Sequence, residues 1–229
     1  MSLKAVKVPK SFEGLFSNAE TYVEQYFKSY QNDVTKGTIE ISGERYILVR
    51  AESMSVKFLE FIKNMYPSLN EEESIEASSR VLFDMAKSVG KSDAQKFHLK
   101  TGVTDPIEKL STGPVHFAYA GWAYVDILPE SRPSPDTDFY LVYDHPQSFE
   151  ADSWIATKKK TNFCTCFMNA GYSSGWCEES FGVNLISREI LCRARGDKFC
   201  RFIMAHPQKL EELIHQYKKH HPEYWQANK

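Results

Sequence analysis

The stretch "SREILCRARGDKFCRF", residues 187–202, gathers residue types that hold metal ions. Cys192 and Cys200 flank an Arg-Gly-Asp turn, and Glu189 lies three positions before the first of them. If Arg195, Gly196 and Asp197 form a three-residue loop with the glycine left-handed, the two cysteines face each other across a hairpin. Opposed Cβ atoms are about 5 Å apart, so both sulfurs reach one ion. Zinc takes four ligands in a tetrahedron and mixes thiolate with carboxylate. Glu189 poses a difficulty, because three residues along a straight strand reverse the side-chain direction; a bulge would restore it. A fourth ligand has to come from the preceding segment, which offers Cys164, Cys166 and Cys177. Cys166 and Cys177 would stand about 16 Å apart along a helix, so they do not share an ion. Arg188, Arg193, Arg195, Lys198 and Arg201 interleave with these donors as basic neighbours for a negatively charged centre. The competing reading is plain buried thiols, since free cysteine is among the most buried residue types.

Composition bounds what such a centre serves. The chain has 229 residues, 42% hydrophobic and 25% charged, the balance of a globular protein with one sizeable core. A formal charge of −2 gives no electrostatic reason to expect nucleic acid or an anionic membrane as partner. The start, "MSLKAVKVPKSFEG", lacks the apolar core of a secretory signal, and no stretch has the apolar length of a membrane span. The expectation is a cytoplasmic protein with reduced thiols. Its five cysteines, all between Cys164 and Cys200, then favour metal or burial over disulfides.

The elements that position these residues follow from periodicity. A helix over about 18–30 carries Ala19, Tyr22, Val23, Tyr26, Phe27 and Tyr30, with Ser17 and Glu20 as a capping box. "KGTIEISGERYILVRA" predicts a hairpin turned at Ser42-Gly43. A helix through Met54, Phe58, Phe61, Ile62 and Met65 follows. A longer one capped by Asn70 then carries Ile75, Val81, Leu82, Met85 and Val89. After a break near 102–106, "PVHFAYAGWAYVDILPE" predicts a long strand, the loop 130–137 a linker-like turn, and "FYLVYDH" a second strand. "SFEADSWIATK" reads as a helix. Phe163, Phe167, Ala170, Ser174, Cys177 and Phe181 mark another, with Gly171 and Gly175 one turn apart for a close backbone neighbour. Two strands around the cysteine turn and a final helix, "PQKLEELIHQYKKHH", complete the chain. The fold class is therefore α/β (α+β): an antiparallel sheet packed with helices, in one compact domain with an amino-terminal helix and hairpin extension.

His116, Phe117, Tyr119, Trp122, Tyr143, His145, Trp154, Tyr172 and Trp176 supply the materials of an apolar ligand pocket with a few polar groups. Each is more often an ordinary core residue. On a strand, His116, Ala118 and Ala120 share one face, and the small alanines leave room beside the histidine.

"CFMNAGYSSGWCEESFGVNLISREILCRARGDKFCRF" resembles the 4-vinyl-reductase domain family, in the version found in the aromatic-sensing amino-terminal region of bacterial transcription activators of the XylR and DmpR type. "GERYILVRAESM" and "LSTGPVHFAYAGWAYVDI" are similar to the same sensor's earlier segment, and the likeness runs from about 37 to 206. It implies a sensor segment over 37–125 and a zinc-containing segment over 126–210, which an amino-terminal helical extension over 1–36 and a helix and tail over 211–229 flank. It further implies a structural zinc, with Cys166, Glu189, Cys192 and Cys200 as ligands. It implies a small aromatic or hydrophobic ligand whose polar group meets His116; the family's tryptophan position is held here by His145, a departure. A homodimer through the amino-terminal helix and hairpin, and a downstream effector protein, are the implied partners. The alternatives are a reductase or accessory protein of tetrapyrrole metabolism, suggested by the family name, and a trafficking-complex-like scaffold, suggested by the fold. No dinucleotide fingerprint accompanies the reductase reading, and the sequence shows no phosphate loop of the ATPase domain that such activators carry after the sensor.

Overall fold

A computed structural model describes residues 3–226. The main sheet has the order β1 (Val6–Lys7), β5 (Ala123–Ile127), β6 (Tyr140–Ser148), β8 (Cys200–Ala205), β7 (Ile186–Leu191). Its pairs are antiparallel except at one edge, where β1 runs parallel to β5 with Val6 opposite Val125. The amino terminus is thus more than an extension, since it supplies an edge strand. A small sheet, β2 (Gln31–Asp33), β3 (Thr38–Ile41) and β4 (Glu44–Tyr46), holds the expected hairpin. Ser42 and Gly43 both have positive φ, 53° and 79°, the pairing a tight two-residue turn demands.

Helices α1 (Glu13–Lys28), α3 (Glu71–Thr101), α4 (Pro106–Tyr119) and α6 (Phe167–Phe181) share one continuous core with the inner face of the main sheet. On the outer face, α7 (Pro207–His220) packs Leu210, Ile214 and Tyr217 against Val142, Ile190 and Ile203. The helices α2 (Val56–Met65), α5 (Phe149–Ala156) and α8 (Glu223–Gln226) complete the chain.

Three elements differ from expectation. Helix α1 starts at Glu13, because a 3-10 turn begun at Pro9 feeds straight into it; Ser17 lies inside, its carbonyl accepting from Thr21. Helix α3 has the expected Asn70 cap, with Asn70 and Glu73 bonding each other's backbone. Its buried face is Ser74, Ser78, Leu82, Ala86, Gly90 and Ala94, while Val81, Met85 and Val89 stay partly in water. Small residues win that face because α6 lies almost backbone to backbone upon it. A Cβ at Gly175 would fall 2.0 Å from the Lys87 carbonyl oxygen, and one at Gly90 2.3 Å from that of Tyr172. The close-packing role expected of Gly171 and Gly175 is the one they have.

The third difference is the largest. The expected strand through "PVHFAYAG" is helix α4, and only Ala123–Ile127 is strand. Asp105 caps α4 by accepting from Ile107 and Glu108, and Pro106 opens its first turn. The period along this segment is therefore that of a helix. His116 and Phe117 turn to different neighbours, and the strand-face reasoning for His116 and the alanines does not hold.

Candidate metal centre and ligand cavity

The hairpin of β7 and β8 carries a bulge that settles the Glu189 difficulty. Glu189 pairs with Phe202, but Leu191 pairs with Arg201, so β7 holds one extra residue between them. That extra residue returns Glu189 and Cys192 to one side. The connection is longer than a three-residue loop. A 3-10 turn over Arg193–Arg195 precedes Gly196, which is left-handed at φ 102°, and the Cys192 carbonyl accepts from Arg195 and Asp197. The cysteines still stand on either side of it, one step beyond the last paired residues.

Cys166 is the residue that caps α6, ahead of the helix rather than on its face. From there its sulfur lies 3.9 Å from that of Cys200, and the ligand atoms of Cys166, Glu189, Cys192 and Cys200 all lie within 4.8 Å of one another. All four residues are buried. Cys164 and Cys177 are outside this group, Cys177 lying in the wall of the cavity described below.

The surroundings hold the donors in place. Glu189 Oε2 accepts the Cys166 backbone N–H at 2.9 Å, while its buried Oε1 has no hydrogen-bond partner. The Arg193 N–H donates to Cys200 Sγ at 3.4 Å, and the hydroxyls of Thr165 and Ser148 lie 3.4 and 3.2 Å from the sulfurs of Cys192 and Cys166. The interleaved arginines are engaged elsewhere: Arg188 with Glu211, Arg193 with Asp152, Arg195 with Asp197 and Arg201 with Asp144. Burial pushes Cys166 and Glu189 well above their usual ranges, and thiol donation from Cys166 and Cys200 holds Cys192 far below its own. Four anion-forming groups this close cannot all ionise unaided, and a dication is the partner that lets them. A tetrahedral zinc with Zn–S near 2.3 Å sets its sulfurs about 3.8 Å apart, so the residues fit that ion.

The cavity lies between α4, α6 and the sheet. It holds about 30 Å³ of space, room for about two waters, and its wall includes Leu110, Gly113, Phe117, Ile127, Tyr143 and Trp176. Of the aromatic candidates, Phe117, Tyr143, Tyr172 and Trp176 line it. Tyr143 bonds Ser187 Oγ at 2.7 Å, Tyr172 donates to Asp93 at 2.9 Å, and Trp176 Nε1 donates to the Lys109 carbonyl at 3.1 Å.

The other candidates stand back from the wall. His116 is buried against Phe27, Phe97 and Trp176, with Nδ1 3.0 Å from the Tyr172 hydroxyl; it stands behind two wall residues, Trp176 and Tyr172. Trp122 packs behind Phe117 and Tyr172. Tyr119 is 42% exposed, and Trp154 packs on Phe163. His145 is fully buried beside Phe117, Tyr143 and Phe202, and neither ring nitrogen has a hydrogen-bond partner. Burial lowers both histidines to about 3, so each is neutral.

Sequence reasoning missed the aliphatic wall, Leu110, Val125, Ile127, Leu141 and Met204. The signal for part of it was Asp105-Pro106. Reading a helix from there sets Leu110, Gly113, Pro114 and Phe117 on one face.

This fold is one already seen in sensory domains. The phenol-responsive sensory domain of the transcription activator PoxR, solved with phenol, superposes with a TM-score of 0.69, covering 90% of this chain and 97% of that one at 18% identity. In sequence, the phenol regulator MopR of Acinetobacter guillouiae is 24% identical over 186 residues, 80% of this chain. The chain spans about a third, 32%, of that regulator's length. The likeness to the aromatic-sensing amino-terminal region of XylR- and DmpR-type activators therefore holds in sequence and in fold. No family model matches the chain, so the 4-vinyl-reductase likeness rests on its motifs alone.

Proposed function

We propose that the chain is a ligand-sensing domain that takes a small aromatic or hydrophobic molecule into the cavity between α4, α6 and the sheet, and passes the change to a partner. The observation that carries this reading is an aromatic-walled, buried cavity in a fold shared with a phenol-responsive sensory domain. The cavity is too small for an aromatic ring as it stands, so a guest has to push its walls apart. That displacement is what a sensor needs, because a ligand shifts a conformational equilibrium only through different affinity for the two states.

His145 is the ligand's polar partner in this proposal, with Tyr172 and His116 as a second contact chain. Its support is a buried imidazole with both nitrogens free, directly beside two wall residues. The guest is accordingly one that carries a hydrogen-bonding group. Trp122, Tyr119 and Trp154 frame the domain rather than the guest.

Cys166, Glu189, Cys192 and Cys200 would hold a structural zinc. Four protein ligands close the coordination shell, so the ion would clamp the hairpin to the start of α6 and supply no hydrolytic chemistry. The segments 37–125 and 126–210 would act as one unit, because the cavity draws on α4, α6 and the sheet together.

A homodimer through the amino-terminal helix and hairpin, and an effector downstream, complete the proposal. Exposed Ile47, Leu48 and Val49 directly after β4 support the first. The greater length of the related regulator supports the second.

A thermal melt tests the reading. Phenol should raise the melting temperature progressively with concentration, as mass action on a native-state site requires. No rise at any concentration would overturn it.

A further inference from the structure

The cavity has a neighbour. A second apolar void of about 10 Å³ lies beyond it, bounded by Leu15, Phe16, Ile107 and the loop residues Ser131 and Pro133. The two voids share Leu110, Ile127 and Leu141 in their walls, so these three aliphatic side chains stand at the boundary between them. Each comes from a different element: α4, β5 and β6.

These elements give the combined space a direction. On α4, Ile107 bounds only the second void, Leu110 bounds both, and Phe117 bounds only the first, so one helix face spans the two. On β6, Leu141 stands at the partition and Tyr143 further in, with His145 beyond it on the same face. Tyr143, Ser173 and Tyr172 belong to the first void, whereas the polar side chain at the second, Ser131, is engaged with the Val142 backbone. The partition end is aliphatic.

We propose that Leu110, Ile127 and Leu141 are specificity-determining residues: they form a movable partition, and the ligand is an aromatic molecule whose polar group faces Tyr143 and His145 while an apolar tail opposite that group threads between them into the second chamber. This rests on the sensory reading above and names its ligand class. A bare ring leaves the second chamber empty. A para-alkyl chain fills it and exchanges water for aliphatic contacts, worth about fourfold in affinity for each buried methylene.

Calorimetric titration of the full chain with phenol, 4-ethylphenol, 4-butylphenol and 4-hexylphenol tests this. The expected result is a dissociation constant that falls about fourfold per methylene across the series. Ile107→Phe, which fills the second chamber, removes that gain while phenol itself binds as before. Leu110→Ala, which thins the partition, keeps or enlarges the gain and guards against a folding defect in the first variant. Phenol binding with flat or falling affinity for the longer members would overturn the two-chamber proposal and leave the sensory reading standing. An undiminished gain in folded Ile107→Phe would also overturn it. If no member of the series binds, both fall.

Discussion

The sulfurs of Cys166 and Cys200 meet at 3.9 Å although one ends the approach to α6 and the other opens β8. Two features bring them together: the cap position of Cys166, and a bulge in β7 that turns Glu189 toward the same point. The result is a closed set of four donors with the spacing of a tetrahedral ion.

Metal removal should therefore destabilise the whole domain. Purified protein should contain about one zinc per chain, and a strong chelator should lower the melting temperature by more than 10 °C, a loss on the order of several kcal/mol. Cys200→Ser should show the lowered melt without chelator, and further chelator should change it little. Elemental analysis with thermal melts checks both.

His145 sets stability against binding. A buried ring with two unpartnered nitrogens costs on the order of 1–3 kcal/mol, so His145→Phe should raise the unfolding free energy by about that amount. The same change should weaken phenol binding at least tenfold, because the polar partner proposed for the ligand is gone. Denaturant unfolding and calorimetry read the two effects separately. Stabilisation with unchanged affinity would leave His145 an ordinary core residue.

The close approach of α3 and α6 makes glycines there irreplaceable. Gly175→Ala places its Cβ 2.0 Å from a backbone oxygen and should cost about 3 kcal/mol or prevent folding. Gly14→Ala, inside α1 with no atom within 4 Å of the added carbon, should stabilise by up to about 1 kcal/mol. Chemical denaturation of the pair tests the contrast.

Glu150 predicts a pH dependence. It is fully buried and accepts the N–H groups of Met168 and Asn169 at the start of α6, yet burial raises its carboxyl to about 8. The folded state then binds a proton that the unfolded state releases near pH 4.5. Stability from this group is full below pH 4.5 and is lost progressively as pH rises towards 8. Glu150→Gln should flatten the decline. Melts from pH 5 to 8 on metal-loaded protein measure it.

Much of the fold was legible from local signals. Asn70 with Glu73 marks the start of α3, Ser42-Gly43 marks the β3–β4 turn, and Gly171 and Gly175 announce a close neighbour without naming it. The metal donors were legible because cysteine and glutamate at fixed spacing have few shared uses, but choosing Cys166 needed the resemblance. The cavity was not legible. Aliphatic wall residues look like any core, and α4 is rich in the aromatic and β-branched residues of a strand, with Gly113 and Pro114 at its centre. Only its upstream cap reveals it. Val81, Met85 and Val89 mislead for the opposite reason: the strongest apolar spacing on α3 faces outward, because backbone contact with α6 demands small side chains.

The central claim, a buried cavity that admits an aromatic guest, is tested most directly by calorimetric titration of the zinc-loaded chain with phenol at several temperatures. A sensing cavity predicts saturable heat at one site per chain with a negative heat-capacity change, the mark of apolar burial, and loss of that heat in a folded Cys177→Phe variant whose cavity is filled. No saturable heat from folded, zinc-loaded protein, or the same heat from the filled variant, would contradict it.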